Sequence, residues 1–160
     1  GNKMREVEIS TAMMENARIK AKELGSLRNS ITRGGGNIIG FLGEEVAKHC
    51  LGGELENTYD YDLVMKDGTK IDVKTVATTV APKDHYNCVV AAANTKQKCD
   101  AYSFVRVKKD LSVGWYLGTM KKSDFFDIAD KHIKGDVDQY GFKMKADCYV
   151  TQISTLQDNL

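Results

Sequence analysis

Tyr61-Asp62-Leu63-Val64-Met65-Lys66-Asp67-Gly68-Thr69-Lys70-Ile71-Asp72-Val73-Lys74 is the stretch whose register decides how the chain is built. Residues 59–65 alternate in polarity as a strand does, Asp67-Gly68 is a strong turn signal, and residues 70–76 form the returning strand. Side chains alternate between the faces of a strand, so Asp72 and Lys74 share one face and Ile71 and Val73 the other. Whether Asp62 joins the first pair depends on the turn. A two-residue turn at Asp67-Gly68 sets Asp62 opposite Val73, on the wrong face. A three-residue loop, Lys66-Asp67-Gly68 with Gly68 left-handed as a G1 bulge, sets it opposite Asp72. Carboxylates directly opposed across a ladder repel. A divalent cation between them reverses the sign, and carboxylate and water oxygens are what Mg²⁺ prefers. Lys74 then lies beside the cation, able to orient or help deprotonate a water, or to neutralise charge on a phosphate. An Asp-x-Lys pair alone is more often an ion pair on a solvated face; the facing Asp62 shifts that reading.

Residues 10–24 are expected to form a helix capped by Ser10, with Met13, Ala17, Ala21 and Leu24 on one face and Gly25 closing it. A polar connector ends in Gly34-Gly35-Gly36. A second helix is expected over 37–51, stopping at Gly52-Gly53. After the hairpin, 77–87 reads as loop, 88–93 as a buried strand, and 94–100 as a polar crossover with room for one helical turn. Strands follow over 102–108 and 113–120, joined near Asp110. A helix capped by Ser123 is expected to run to Ile133, and a last strand spans 147–153. This order gives an α/β (α+β) class with a central mixed sheet flanked by helices. One domain over 1–160 is expected, with its core over about 37–153.

The 160 residues are 42% hydrophobic, as in water-soluble globular chains. No run approaches the ~20 apolar residues of a membrane span, so no membrane partner is expected. Cys50, Cys88, Cys99 and Cys148 form no CxxC pair and lie near no histidine at zinc spacing. They read as reduced core residues, which with the absence of a secretory pattern points to the cytoplasm, a host's if the chain is viral. The net charge of +1 counts against a protein that coats nucleic acid non-specifically. Basic residues do cluster at Arg18, Lys20, Lys22, Arg28 and Arg33, and at Arg106, Lys108, Lys109, Lys121 and Lys122. Each cluster is either a solvated face or a set of phosphate contacts.

The second helix contains Gly40-Phe41-Leu42-Gly43-Glu44-Glu45-Val46. Ile38, Leu42 and Val46 share its large apolar face. Gly40, Gly43, Ala47 and Leu51 share another, with Glu44 beside them; a face of small residues can approach a sheet closely. Helix glutamate, hairpin aspartate and Asp72-x-Lys74 in this order resemble the PD-(D/E)XK nuclease superfamily, and the G-x-x-G-E helix is similar to that of phage and prokaryotic members near the Holliday-junction resolvases. The resemblance covers roughly residues 38–108. Tyr61 stands where the family often has proline. The resemblance implies a restriction-endonuclease-like core, in which a helix precedes a three-strand meander, a crossover and a further strand. It also implies phosphodiester hydrolysis with Mg²⁺ or Mn²⁺, with Asp62 and Asp72 ligating the metal, Glu44 and the Val73 carbonyl as further ligands, and Lys74 assisting the water. Glu45 is the reserve for Glu44.

The functional expectation is therefore a metal-dependent DNA endonuclease, with branched or structured DNA as a candidate substrate. The alternative is a non-catalytic nucleic-acid-binding or assembly protein retaining the fold. A homodimer is one expectation, since cutting both strands needs two sites. Arg28, Arg33, His85 and Tyr86 are candidate nucleic-acid contacts. Asp72 and Lys74 are expected at the open end of the hairpin, outside packed core. His49 and His132 have no triad partners at useful spacing. Gly34-Gly35-Gly36 lacks the G-K-[ST] ending of a phosphate loop and reads as a hinge. Trp115 and Tyr116 read as core.

Overall fold

The hairpin closes through a three-residue loop. The Met65 N–H donates to the Thr69 carbonyl (2.8 Å), the Gly68 N–H donates to the Met65 carbonyl (2.9 Å), and Gly68 has φ +90°. Leu63 pairs with Ile71 and Val64 with Lys70, and the paired register ends there, with the Asp62 N–H also turned to the Ile71 carbonyl. The computed structural model describes residues 4–32, 37–56 and 58–158. The Gly34-Gly35-Gly36 run and Arg33 lie outside the described residues, and so does the side chain of Arg28.

The elements are β1 (Arg5–Glu8), α1 (Thr11–Thr32), α2 (Asn37–Leu51), β2 (Glu54–Leu55), β3 (Leu63–Val64), β4 (Lys70–Thr78), β5 (Asn87–Ala91), β6 (Ala101–Lys108), β7 (Val113–Lys121), α3 (Lys122–Ile128), β8 (Asp130–His132) and β9 (Cys148–Gln152). Among the described residues they make an α+β fold with two sheets, ordered β1-β7-β6-β4-β3-β2 and β5-β9-β8. In the larger sheet β4 and β6 run parallel and the other neighbours antiparallel. Thus α2 precedes the meander β2–β3–β4, and a crossover returns the chain as β6 beside β4.

Alternation along β4 and β6 divides the interior in two. Ile71, Ala101, Val105 and Val107 pack with Leu42, Val46 and Ala47 of α2 and Ala17 of α1. Tyr102, Phe104, Trp115 and Leu117 pack on the opposite side with Phe125 of α3 and with Cys88, Val90 and Ile153 around the small sheet. Each fully buried aliphatic side chain such as Leu42 contributes about 1.5–3 kcal/mol over an exposed one.

Several expectations need correction. Helix α1 is capped by the Ser10 hydroxyl, which accepts the Met13 N–H at 3.1 Å, but it runs through Gly25 to Thr32. A lone glycine costs a helix only ~1 kcal/mol and does not stop it without a partner for the freed carbonyls. Of residues 59–65 only Leu63–Val64 is strand, because the Thr58 hydroxyl binds both the N–H and the carbonyl of Tyr61 and folds that segment into a turn. The helix expected to reach Ile133 ends at Ile128, and Asp130–His132 pairs instead with β9. Strands β5 and β9 leave the central sheet to form the small one with β8. The strands β1 and β2 were not anticipated, and β4 continues to Thr78. Trp115 and Tyr116 are core, as expected. No described helix is long and apolar enough to cross a membrane.

Candidate active site

Strand β3 pairs with β4 only as far as Ile71, and the site forms where the two part. Asp62 is fixed there by its backbone: its N–H donates to the Ile71 carbonyl (2.9 Å) and its carbonyl accepts from the Glu56 N–H (2.8 Å). Its carboxylate Oδ2 accepts the Val73 N–H at 2.8 Å, a β4 donor that β3 has left unpaired. Lys74 Nζ lies 2.6 Å from Asp72 Oδ2, with the two side chains 16% and 5% exposed. This burial corrects the expectation that both would stand at an open end: β6 covers them, setting Tyr102 and Phe104 beside Asp72 and Lys74 in register. The Lys74 ammonium is 5.8 Å from the Tyr102 ring centroid.

Helix α2 approaches the same strand from its other face. A Cβ on Gly43 would stand 1.8 Å from Thr75 Oγ1, so no side chain fits between helix and strand. Gly40 meets nothing within 4 Å, and its small size is not what permits the approach. The close contact at Gly43 brings Glu44 up to the aspartates, while Glu45 turns to α1 and accepts from Asn16 Nδ2 at 3.2 Å. Gly43→Ala is expected to cost about 1–3 kcal/mol by overpacking. Adding Thr75→Gly should recover most of it, and a double-mutant cycle by chemical denaturation measures the coupling. Equal losses with and without the second change would show that the glycine does not set the approach.

The electrostatics follow from three acids in one dry corner. The Asp62 carboxyl is pushed up to about 9, first by burial, then by the charges of Glu44 and Asp72, against the Val73 N–H that favours its ionised form. Glu44 is raised to about 7 by burial, with Lys20 opposing and Asp72 and Glu45 adding to the rise. Glu44 Oε1 is buried without a hydrogen-bond partner among the described residues; its nearest cation, Lys20 Nζ on α1, is 3.9 Å away. Burial and mutual charge thus hold both carboxyls above their ordinary range. Among the described residues no three His, Cys, Asp or Glu side chains are grouped closely enough to cage a metal ion. The donor set at hand is the Asp62 and Asp72 carboxylates with Glu44 behind them.

Two residues of this corner escaped the sequence reading. Gln97 Oε1 accepts from Lys74 Nζ at 2.9 Å, and Gln97 Nε2 donates to the Tyr59 carbonyl at 2.6 Å. The crossover thus gives the lysine a second partner besides Asp72. Lys20 had been placed only in a basic cluster. Neither carries a local signal: a glutamine in a polar connector and a lysine on a helix gain meaning only from what the fold sets against them. Gln97→Leu is expected to lower stability by ~1.5–3 kcal/mol, the scale of losing a hydrogen bond to a charged group, as read by chemical denaturation. Unchanged stability would show that Gln97 does not hold the lysine.

Of the other candidates, His85 and Tyr86 lie away from the acids, beside Arg106 and the 138–142 turn. His49 is exposed, and His132 Nδ1 pairs with Asp136 at 3.5 Å. The cysteines are free thiols, three of them buried. No protein-family model matches the chain, and no curated protein matches it.

Proposed function

We propose that the protein is a metal-dependent nuclease acting on DNA, with Asp62, Asp72, Lys74 and Glu44 as its reactive set. The observation that carries this reading is the Asp62 and Asp72 carboxyls brought together where the hairpin strands part, with Asp62 raised by burial and by its acidic neighbours and Lys74 2.6 Å from Asp72. Such a pair is unfavourable as structure alone. It becomes favourable around a divalent cation, which Mg²⁺ sites hold through one or two carboxylates, leaving the remaining positions to water and substrate phosphate. Asp62 and Asp72 would hold it, with the Val73 carbonyl as a further oxygen. When bound, Mg²⁺ or Mn²⁺ supplies polarisation of the phosphate and acidifies water. Lys74, steered by Asp72 and Gln97, orients the attacking water and offsets charge growing on the phosphate. Glu44 tunes the charge of the corner and can take up a proton near neutral pH. The α2–meander–crossover–β6 order supports the likeness to the PD-(D/E)XK superfamily that the motif suggested.

A cytoplasmic enzyme cutting branched or structured DNA, as a homodimer where both strands are cut, is the fuller form of the proposal. The deciding experiment is a cleavage panel of duplex, nicked, single-stranded, flap and four-way DNA with Mg²⁺ and with Mn²⁺. Cleavage of at least one substrate that stops with chelator is expected. Silence on the whole panel would hand the constellation to the non-catalytic, nucleic-acid-binding alternative.

A further inference from the structure

On the face of β4 that carries Asp72 and Lys74, the next residue of the same parity is Val76, about 7 Å further along the strand. Val76 is 46% exposed and floors a cavity of about 250 Å³. Arg106, its register partner on β6, forms the base. The guanidinium lies 5.2 Å from the Tyr86 ring centroid and its Nη2 donates to the Asn87 carbonyl at 3.0 Å. Its Nε is buried with no hydrogen-bond partner among the described residues. Above it, the His85 ring stands edge-on to Tyr86 at 5.0 Å and leans on Tyr140 at 4.6 Å.

The outer wall is the turn 138–142, where Tyr140 and Phe142 are 59% and 48% exposed. Their exposure is built in. Asp138 Oδ1 accepts both the Tyr140 and the Phe142 N–H at 2.9 Å, and Gly141 has φ +85°. Asp138 Oδ2 accepts Asn87 Nδ2 at 2.7 Å, tying the turn to β5. One carboxylate thus spends its acceptors on presenting two aromatic rings to an open cavity.

From this we infer that the cavity is a pocket for a single unpaired nucleobase of the strand whose phosphate reaches Lys74. This rests on the nuclease reading above. Ring faces accept any base by stacking, and Arg106 adds a cation against the π system. The volume lies below the ~300–1,000 Å³ of pockets for larger ligands, so it takes one ring system and not a base pair. A paired base must therefore leave its stack to enter, and single strands, flaps, junction arms and mismatches supply such a base at least cost.

The test uses the full chain in chelator, so that binding is read without cleavage. The probes are a single-stranded oligonucleotide carrying one 2-aminopurine, the same oligonucleotide with an abasic site in its place, and a perfect duplex. Quenching of 2-aminopurine, weaker binding of the abasic strand, and a roughly five- to hundredfold loss of single-strand affinity in Tyr140→Ala are expected, with Tyr140→Phe close to the unaltered chain. Duplex affinity should change little. Trp115 fluorescence melting confirms that the variants are folded. Unquenched probe, or Tyr140→Ala binding single strands as well as the parent, overturns the pocket. Cleavage that ignores Tyr140 sinks the pocket and spares the nuclease. Tyr140-dependent binding without cleavage on any substrate does the reverse.

Discussion

Lys74→Met is expected to reduce single-turnover cleavage by two to four orders of magnitude while DNA affinity stays near that of the unaltered protein. In the proposed mechanism the ammonium acts where charge develops, on phosphate and on attacking water, so its loss would fall on the chemical step. Removing one strong electrostatic contact of this kind costs on the order of 3–5 kcal/mol. Methionine is chosen over alanine because the lysine stem is buried against β6, and truncation there would leave a void. Asp72→Asn should abolish cleavage as thoroughly. Glu44→Gln should cost less, since it sits behind the aspartates, and Glu45→Gln least, since that carboxylate serves Asn16. The order of the four rates is itself diagnostic. If Lys74→Met cuts at the original rate, Lys74 has only a structural role, as counter-charge to Asp72.

That structural role is real, and it makes the experiment demanding. Breaking a buried pair leaves an uncompensated charge and commonly costs ~3–5 kcal/mol. Here a neighbour softens the loss, because burial holds the Asp62 carboxyl well above its ordinary range and so limits the negative charge of the corner. A melting curve beside each rate separates lost chemistry from lost fold.

The hairpin and its three-residue loop were legible in the sequence for a discrete reason. Strand faces have a period of two and turns come in a few lengths, so one glycine at residue 68 leaves two registers and only one places Asp62 with Asp72. Helix α2 was legible because its apolar spacing and its Gly52-Gly53 stop agree. What could not be read is where elements meet. Gln97 reaches Lys74 across 23 residues, and Asn87 reaches Asp138 across 51. No local periodicity encodes either contact. The small sheet was hidden because β8 has three residues, too few to alternate visibly, and its predecessor α3 ends without a stop signal. The burial of Asp72 and Lys74 was missed for a related reason: whether a polar face is covered depends on which strand lies next to it, and the parallel neighbour β6 comes 30 residues later in register.

The same burial sets the response of the metal-free protein to pH. Asp62 goes from an ordinary 3.8 to about 9 on folding, and Glu44 from 4.5 to about 7. Between the unfolded and folded values the folded chain binds more protons than the unfolded one. Stability therefore falls as pH rises through that window, with the full contribution present below about 4 and lost by about 9. This is opposite to the usual salt-bridged carboxylate, whose contribution is lost on acidification. In chelator, the melting temperature is expected to drop from pH 5 to pH 9, more steeply below 7, where folded Asp62 and Glu44 both keep protons that the unfolded chain has lost, than above it. Asp62→Asn should flatten the profile and raise the melting temperature at pH 8. A single pKa unit is worth ~1.4 kcal/mol, so the change should exceed the ~0.5 kcal/mol scatter of surface substitutions even after generous discounting for coupling between the acids. Mn²⁺ should do the converse, stabilising more at pH 8 than at pH 6, because protons compete with the cation for the same oxygens. A metal-free melting temperature that is level from pH 5 to pH 9 would mean that these carboxyls meet water in solution, and the desolvated acidic pair on which the proposed chemistry depends would not exist.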